Sequence, residues 1–549
     1  MERGYISNIQ LNAHTVWLMV LLALACSNFS CSQRQASPII IVERDTTITK
    51  VNAFTNLFLD SLMLAQYIHD GQLDDSLSLL MRNFYNSRNY QMAWFTEDGV
   101  AEQTQAFYTL HQQYIREFQD SSRRFPQTVE IEMAKLLFQD TLIQAPSIPL
   151  AELELQLTQH FFNYVAYAYS GSVDPEILKW HIPRKQLDAI SLLDSLVANH
   201  GRDLEQWEPV SKPYTALKKA LLPLYEIEKN AVWEEISLGD AKKYEEGDEG
   251  AIVSQLKKKL RLTGDLPEAD TSSTFDPGLT AAVKQYQRRM GLTPDGVVGK
   301  NVVNELNVPI RKRIEQILIN MERMRWMPHI PDGNGVLVNI PQYELHVLEE
   351  GEIVFQMDIV VGKTGSETVI FADEIQYVVF SPYWNVPRSI VRSEIYPAMQ
   401  KNPNYLAEKN MEQLGFSNGL PIIRQRPGNS NSLGRVKFIF PNSYNIYLHD
   451  TPSRSLFGAE RRAFSHGCIR VSQPAQLAEY LLRKQKDWTP EKIAQAMRAN
   501  TEKWVSLDDP LPVFISYFTA WVDQEGLLNF RQDVYGHDRK MAERLFAAP

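Results

Sequence analysis

Cysteine is nearly absent from this chain: three in 549 residues, at positions 26, 31 and 468. That excludes a disulfide framework as the organising device. No CxxC or HExxH pattern occurs, so neither zinc site has its ligands, and no metal or cofactor is expected. Basic blocks are lacking as well. Lys and Arg number 56 against 66 Asp and Glu, giving a net charge of -10, which argues against a nucleic-acid binder with its basic footprint. Long apolar runs are scarce too. Val16–Ala25 is an unbroken run of ten, about half of the roughly 20 residues that a membrane span needs. No later run is long enough to span.

What is present begins with that short run. It has the length of a signal h-region, and it leads through Ala23-Leu24-Ala25 into Cys26, with Cys31 following shortly after. Either cysteine resembles the lipidated residue of a bacterial lipobox. An uncleaved anchor and a cleaved signal are the other two readings. All three place the body outside the cytoplasm, in the cell envelope, with residues 32–50 as a tether.

The length suggests about three or four domains at roughly 100–200 residues each. Residues 51–240 read as a helical scaffold domain, with Phe58, Leu62, Ala65 and Ile68, and later Leu153, Leu157, Phe161, Tyr164 and Tyr167, at helical spacing. Residues 246–307 have their own pattern: a helix carrying Ile252, Val253, Leu256 and Leu260, a second with Leu279, Val283, Tyr286 and Met290, and a third with Val302, Val303 and Leu306. A Pro294-Asp295-Gly296 turn and Gly299 divide the last two helices. A linker helix follows within 308–330, its apolar stripe running from Ile310 to Met324.

From Gly335 the period changes from helical to two, and residues 335–535 read as a mostly β domain. Strands are expected at Val336–Ile340, Tyr343–Leu348, Ile353–Val361, Glu374–Phe380, Val436–Phe440, Asn445–Leu448, Val513–Val522 and Leu527–Val534. Helix is expected over 473–499, and again in the tail (536–549). The β pattern is interrupted at 388–434 by a helix, Ile390–Gln400, and a polar Gly/Asn/Ser loop. A compact, loop-rich insertion of this kind inside a sheet domain suggests a cap or lid. The fold class is thus multi-domain α+β.

The chemistry gathers at Ser465-His466-Gly467-Cys468-Ile469-Arg470. Cys468 is the one thiol of the folded body. A thiol near pKa ~8.5 is mostly protonated at neutral pH and needs a base or a cationic setting to act as a nucleophile. His466 is two residues away, and His449 ends a strand, with fifteen residues between it and Ser465; either could be that base. Alternation puts Tyr447 and His449 on one face. Gly467 permits a tight turn in which backbone N–H groups converge as an oxyanion hole. A buried inert cysteine and a zinc ligand are the competing readings. Flanking Ser, His, Gly and Arg speak against the first, and the lack of further ligands against the second.

Two segments resemble known families. Ala282-Val283-Lys284-Gln285-Tyr286-Gln287 with the Gly291–Gly299 turn resembles the three-helix peptidoglycan-binding domain. The His449…Ser465-His466-Gly467-Cys468-x-Arg470 pattern is similar to the signature of the L,D-transpeptidase (YkuD-type) catalytic domain. Val361-Gly362-Lys363-Thr364, Trp384-Asn385-Val386-Pro387, Asn431–Phe438 and Leu448–Pro452 support it, and together with the preceding domains they resemble the large multi-domain envelope enzymes.

The resemblance implies a thioester on Cys468, with D-alanine released from a tetrapeptide stem and a second stem as acceptor, giving 3→3 cross-links. It matches His449 to the general base, with the Asp450 carbonyl orienting it. Gly467 and Cys468 N–H groups would bind the oxyanion, and His466 would shape that hole or assist proton transfer. Arg470, Tyr447, Trp384 and Ser465 are the candidates for substrate binding. Peptidoglycan is the implied partner, the membrane is reached through the N-terminal anchor, and glycan synthases are candidate partners. An L,D-carboxypeptidase and a non-catalytic peptidoglycan-binding scaffold are the rival functions.

Overall fold

The structure is a computed structural model and describes residues 41–119, 121–138, 149–182, 187–202, 210–266, 272–327 and 333–546. The signal or anchor segment, with Cys26 and Cys31, lies outside the described residues.

The chain forms two compact units. The first holds residues up to Gln105, then Pro126–Phe162 and Leu193–His200. The second holds Ala106–Phe125, Asn163–Leu192 and everything from Gly201 onward. Residues 51–240 contribute to both.

In the first unit, helix Ser61–Asp70 starts where the Asp60 side chain accepts from the Leu62 N–H, and Asp75–Ser87 where Asp74 caps the Leu77 N–H. The expected buried face of the first helix is corrected here. Leu64 and Ile68 are buried, while Leu62 is 73% exposed, because the helix begins only at Ser61 and Phe58 lies before it, bridged to Gln91. Leu153 and Leu157 are fully buried on Leu150–Val165, beside the Glu154 carboxylate, which accepts the Ala93 and Trp94 N–H groups and the Tyr85 hydroxyl.

In the second unit, helices Ala251–Leu262, Pro277–Arg289 and Lys300–Leu306 bury Leu256, Leu260, Leu279, Val283, Tyr286 and Leu306 as their spacing requires. The helix Ile310–Trp326 follows, burying Ile314, Ile317 and Met321. No described helix is long and apolar enough to cross a membrane.

The β domain contains fourteen described strands: β1 (Gly335–Asn339), β2 (Glu344–Glu349), β3 (Glu352–Gly362), β4 (Phe371–Phe380), β5 (Trp384–Asn385), β6 (Met411–Ser417), β7 (Leu420–Gln425), β8 (Val436–Ile439), β9 (Leu448–His449), β10 (Ala463–Ser465), β11 (Ile469–Val471), β12 (Lys503–Ser516), β13 (Ala520–Val522) and β14 (Leu528–Phe530). Nine of them form one sheet in the order β10-β3-β11-β9-β8-β4-β12-β1-β2. A further β2–β3 pairing closes it on itself. Most neighbours are antiparallel; β9–β11, β12–β1 and β10–β3 are parallel. The enclosed core is aliphatic and aromatic, with Val336, Leu345, Ile359, Val378, Phe438, Leu448, Ile469 and Ile515 almost fully buried.

Two expectations change in this domain. The run expected as one strand over Val513–Val522 is divided: its first part ends β12, which starts at Lys503, and its last part is β13. Asp508-Asp509-Pro510-Leu511-Pro512 lies within β12: the register against β4 slips between Ser506 and Leu511, and this bulge accommodates the prolines. The insertion is also more ordered than a loop-rich cap. It carries a three-stranded sheet, β5-β7-β6, and its own apolar cluster of Val386, Ile390, Val391, Ile395 and Ile423. Arg388–Ile390, Val391–Ile395 and Tyr396–Lys401 continue one another, with the middle turn π-helical. Pro397, which has no N–H to donate backwards, accounts for that irregular turn.

Candidate active site

Cys468 sits in the tight turn between β10 and β11, half-buried, on the one bend where Gly467 takes φ +120°. The turn is held from within. Ser465 Oγ donates to the Cys468 carbonyl (2.6 Å) and accepts from the Gly467 N–H (3.2 Å). It is also held from below. Thr368 Oγ1 donates to the Gly467 carbonyl (2.8 Å) and accepts from the Gly362 N–H (2.9 Å), while the Tyr535 hydroxyl donates to the Gly362 carbonyl (2.5 Å). Gly362 is obligatory there, since a Cβ would collide with the Ser366 carbonyl.

The parallel β9–β11 register sets His449 opposite Arg470, and the Tyr447 carbonyl accepts the Ile469 N–H (3.2 Å). Tyr447 is therefore beside Cys468, and the Tyr447 and His449 rings are 5.8 Å apart. His449 is 4% exposed, and its Nδ1 lies 2.5 Å from the Asp450 carbonyl. The carbonyl can only accept, so Nδ1 carries the proton and Nε2 keeps its lone pair. Burial pushes the His449 imidazole down to about 3, and the charges of Arg470 and Lys437 add to this. The ring is a neutral base at physiological pH.

Burial pushes the Cys468 thiol up, against hydrogen bonds from the Tyr447 backbone and side chain and the nearby Arg470 charge. The resting pair is thus thiol and imidazole, not thiolate and imidazolium. Sγ donates to the Asn445 carbonyl at 3.5 Å.

Asp450 supports the base with its backbone and the strand end with its side chain. Its buried carboxylate accepts the Arg435 N–H (2.8 Å), the Thr451 N–H (2.7 Å) and Arg454 Nη2 (2.7 Å). A Cβ on Gly434, which has φ +62°, would strike that carboxylate. This is why glycine stands in the Asn431–Arg435 tract.

The other sequence candidates fall differently. The Gly467 N–H is occupied by Ser465 Oγ, so it is not the free oxyanion donor expected of it. The Cys468 N–H has no hydrogen-bond partner among the described residues. Ser465 is not a substrate-facing hydroxyl. It is 2% exposed, and both of its hydrogen bonds tie the turn. Trp384 packs against the apolar cluster of the insertion. His466 is exposed, its Nε2 3.0 Å from Glu394 Oε1 in the π-helical turn of the insertion. Arg470 Nε is buried with no hydrogen-bond partner. Thr368, Tyr535 and Glu394 had no motif to point to them.

Among the described residues no group of three or more His, Cys, Asp or Glu side chains could hold a metal ion. A half-buried thiol, a neutral imidazole fixed in one tautomer and a nearby unpaired N–H can carry nucleophilic acyl transfer.

Parts of the chain match known families. Residues 333–497 match the YkuD family, the L,D-transpeptidase catalytic domain. Residues 249–306 match the family described as "Putative peptidoglycan binding domain", and 79–221 a scaffold domain. Residues 333–497 thus resemble an L,D-transpeptidase catalytic domain, and the segment before them in the chain resembles a peptidoglycan-binding domain. A Haemophilus influenzae protein named "Putative L,D-transpeptidase" is 33% identical over 243 residues, 41% of this chain and 49% of that protein. The chain thus spans about half the length of the curated relative it matches. Solved structures similar to it include an L,D-transpeptidase from Stackebrandtia nassauensis (16% identity, 50% of this chain and 96% of that one, TM-score 0.22) and L,D-transpeptidase 3 from Mycobacterium tuberculosis (14%, 33% and 60%, TM-score 0.17).

Proposed function

We propose that this protein is a cell-wall L,D-transpeptidase that forms 3→3 cross-links through a thioester on Cys468. The observation that carries the reading is the buried His449, held by the Asp450 carbonyl in the tautomer that leaves Nε2 as a base, on the strand next to the thiol. Nε2 takes the Cys468 proton as Sγ attacks the carbonyl of the third residue of a tetrapeptide stem. The Cys468 N–H, unpaired in the resting site, receives the developing oxyanion. As the C–N bond breaks, the proton passes to the departing amine, and D-alanine leaves. The side-chain amine of a second stem then attacks the thioester, losing its proton to His449 and restoring the thiol. Arg470 faces this centre without a hydrogen bond to spend its buried Nε on, which suits it to a substrate carboxylate. The peptidoglycan-binding domain at 249–306 would hold the wall near the site. The N-terminal segment would keep the body in the envelope, as a lipoprotein or through an uncleaved anchor.

The test is incubation of the purified protein with tetrapeptide muropeptides. Cross-linked dimers with release of D-alanine are expected, together with a covalent adduct on Cys468 by intact mass. Tripeptides alone would make the protein an L,D-carboxypeptidase. No change, or full activity in Cys468→Ala, would refute the reading.

A further inference from the structure

His449 is flanked by cations on both sides. The register places Lys437 opposite it on β8 and Arg470 opposite it on β11. Residues directly opposite on neighbouring strands share a face. The same row continues through Val379 on β4 to Trp504 on β12. Lys437, His449, Arg470 and Trp504 therefore line one face of the sheet, which is also the face of Cys468, two residues from Arg470.

Lys437 is unusual within this row. Its side chain is only 13% exposed, yet its ammonium donates no hydrogen bond among the described residues. The nearest carboxylate, Glu502 Oε1, is 3.8 Å away, too far for one. Glu502 is already engaged by the Tyr383 N–H (2.9 Å) and Trp504 Nε1 (3.0 Å). The ammonium lies 5.3 Å from the centre of the half-exposed Trp504 ring. Burying a charge without hydrogen bonds is costly. Held only by the loose ion pair with Glu502, the ammonium has hydrogen-bonding capacity left for a second anion.

We infer that Lys437 and Trp504 form a subsite for a carboxylate of the donor stem peptide, on the opposite side of His449 from Arg470. The inference rests on the transpeptidase reading above, and it adds a substrate contact to it. A tetrapeptide stem carries more than one carboxylate near the bond that breaks, and two cations without hydrogen bonds, on either side of the base, match that. Lys437 also lies close enough to His449 to help hold it neutral. A bound carboxylate would relieve that effect when the base has to accept a proton.

The experiment measures binding of tetrapeptide stems to full-length Cys468→Ala by calorimetry. Three stems are compared: free carboxylates throughout, the diamino-acid carboxylate as carboxamide, and the C-terminal carboxylate as carboxamide. One of the two carboxamides should bind about tenfold or more weakly, as expected for a lost charge-assisted contact. Lys437→Met, added to the same background, should weaken the free stem by a similar factor and abolish that one discrimination. Lys437→Arg should restore it in part. Glu502 keeps both of its own hydrogen bonds in Lys437→Met, so the fold should survive. The inference is overturned if the parent binds all three stems alike, or if Lys437→Met discriminates as the parent does. A Cys468 adduct on the wild type with no such discrimination sinks this inference alone. No adduct and no stem binding sinks the transpeptidase reading with it.

Discussion

Ser465→Ala separates a hydroxyl that builds the nucleophile turn from one that meets substrate. The side chain is 2% exposed, and its oxygen serves two backbone groups of the turn, the Cys468 carbonyl at 2.6 Å and the Gly467 N–H at 3.2 Å. Alanine leaves both without a partner. A buried unpaired group costs about 1–3 kcal/mol. The second bond is long and water can approach beside exposed His466, so the lower half of the range applies to each group: about 2–4 kcal/mol in all. That should lower the denaturation midpoint of the catalytic unit by a few degrees. The kinetic effect should be larger. A displacement of the nucleophile of ~1 Å can cost about 100-fold, and the carbonyl that Ser465 fixes belongs to the nucleophile itself. The assay is the rate of adduct formation on Cys468 by intact mass, read beside hydrogen exchange of a peptide covering 463–471. Slower acylation with faster exchange is the expected outcome. If Ser465 met the substrate, half-saturation by the donor would rise while exchange stayed as in the wild type. That result would refute the argument.

The two units should respond to acid with opposite signs. In the catalytic unit burial holds His449 down to about 3 and His346 and His537 down to about 4. Unfolded histidines bind protons below about 6.5, so the unfolded chain gains more protons there, and stability falls as pH drops from 6.5 toward 4. Glu344 and Asp538, raised by burial, offset part of this. In the other unit burial lifts Glu154 to about 7; its protonated form is favoured by folding, so that unit gains stability as pH falls from 7 toward 4.5. Protection factors by hydrogen exchange at pH 7 and pH 5 should diverge between the units, and a uniform change would contradict the assignment. Glu394→Gln weakens the 3.0 Å contact to His466. Both groups are well exposed, so global stability should change by less than about 1 kcal/mol. Exchange over 388–401 should quicken and acylation should change a few-fold; unaltered exchange there would show that the contact does not hold the insertion.

The proposed nucleophile and base were legible in the sequence because both sit in short linear patterns. Cys468 has its turn glycine beside it, and His449 ends a strand with its supporting carbonyl in the next residue. The helices of 246–326 were legible because apolar periodicity is local. What failed was long-range. The sequence shows Ser465 as a polar residue beside the thiol, and only the fold shows its oxygen saturated by the turn. Thr368 and Tyr535 brace the turn from about 100 residues before and about 70 after it, with no pattern that links them. Lys437 lay inside a recognised tract, but its lack of a hydrogen bond is a property of three strands together. One miss did have a cue: Asn418-Gly419, both with positive φ, is a strong hairpin signal and marks the β6–β7 turn.

The position of β12 has a consequence for how the protein comes into being. This strand lies between β4 and β1, so the sheet cannot close until residues 503–516 have been made. The hydroxyl under the Gly362 carbonyl arrives later still, on Tyr535. A nascent chain can therefore display the whole Ser465–Arg470 segment before the strands around it have closed. Pairings this distant in sequence also form slowly. On the proposed mechanism the chemistry would be switched on last, by completion of the chain, and a truncated product should carry an intact motif but an idle thiol.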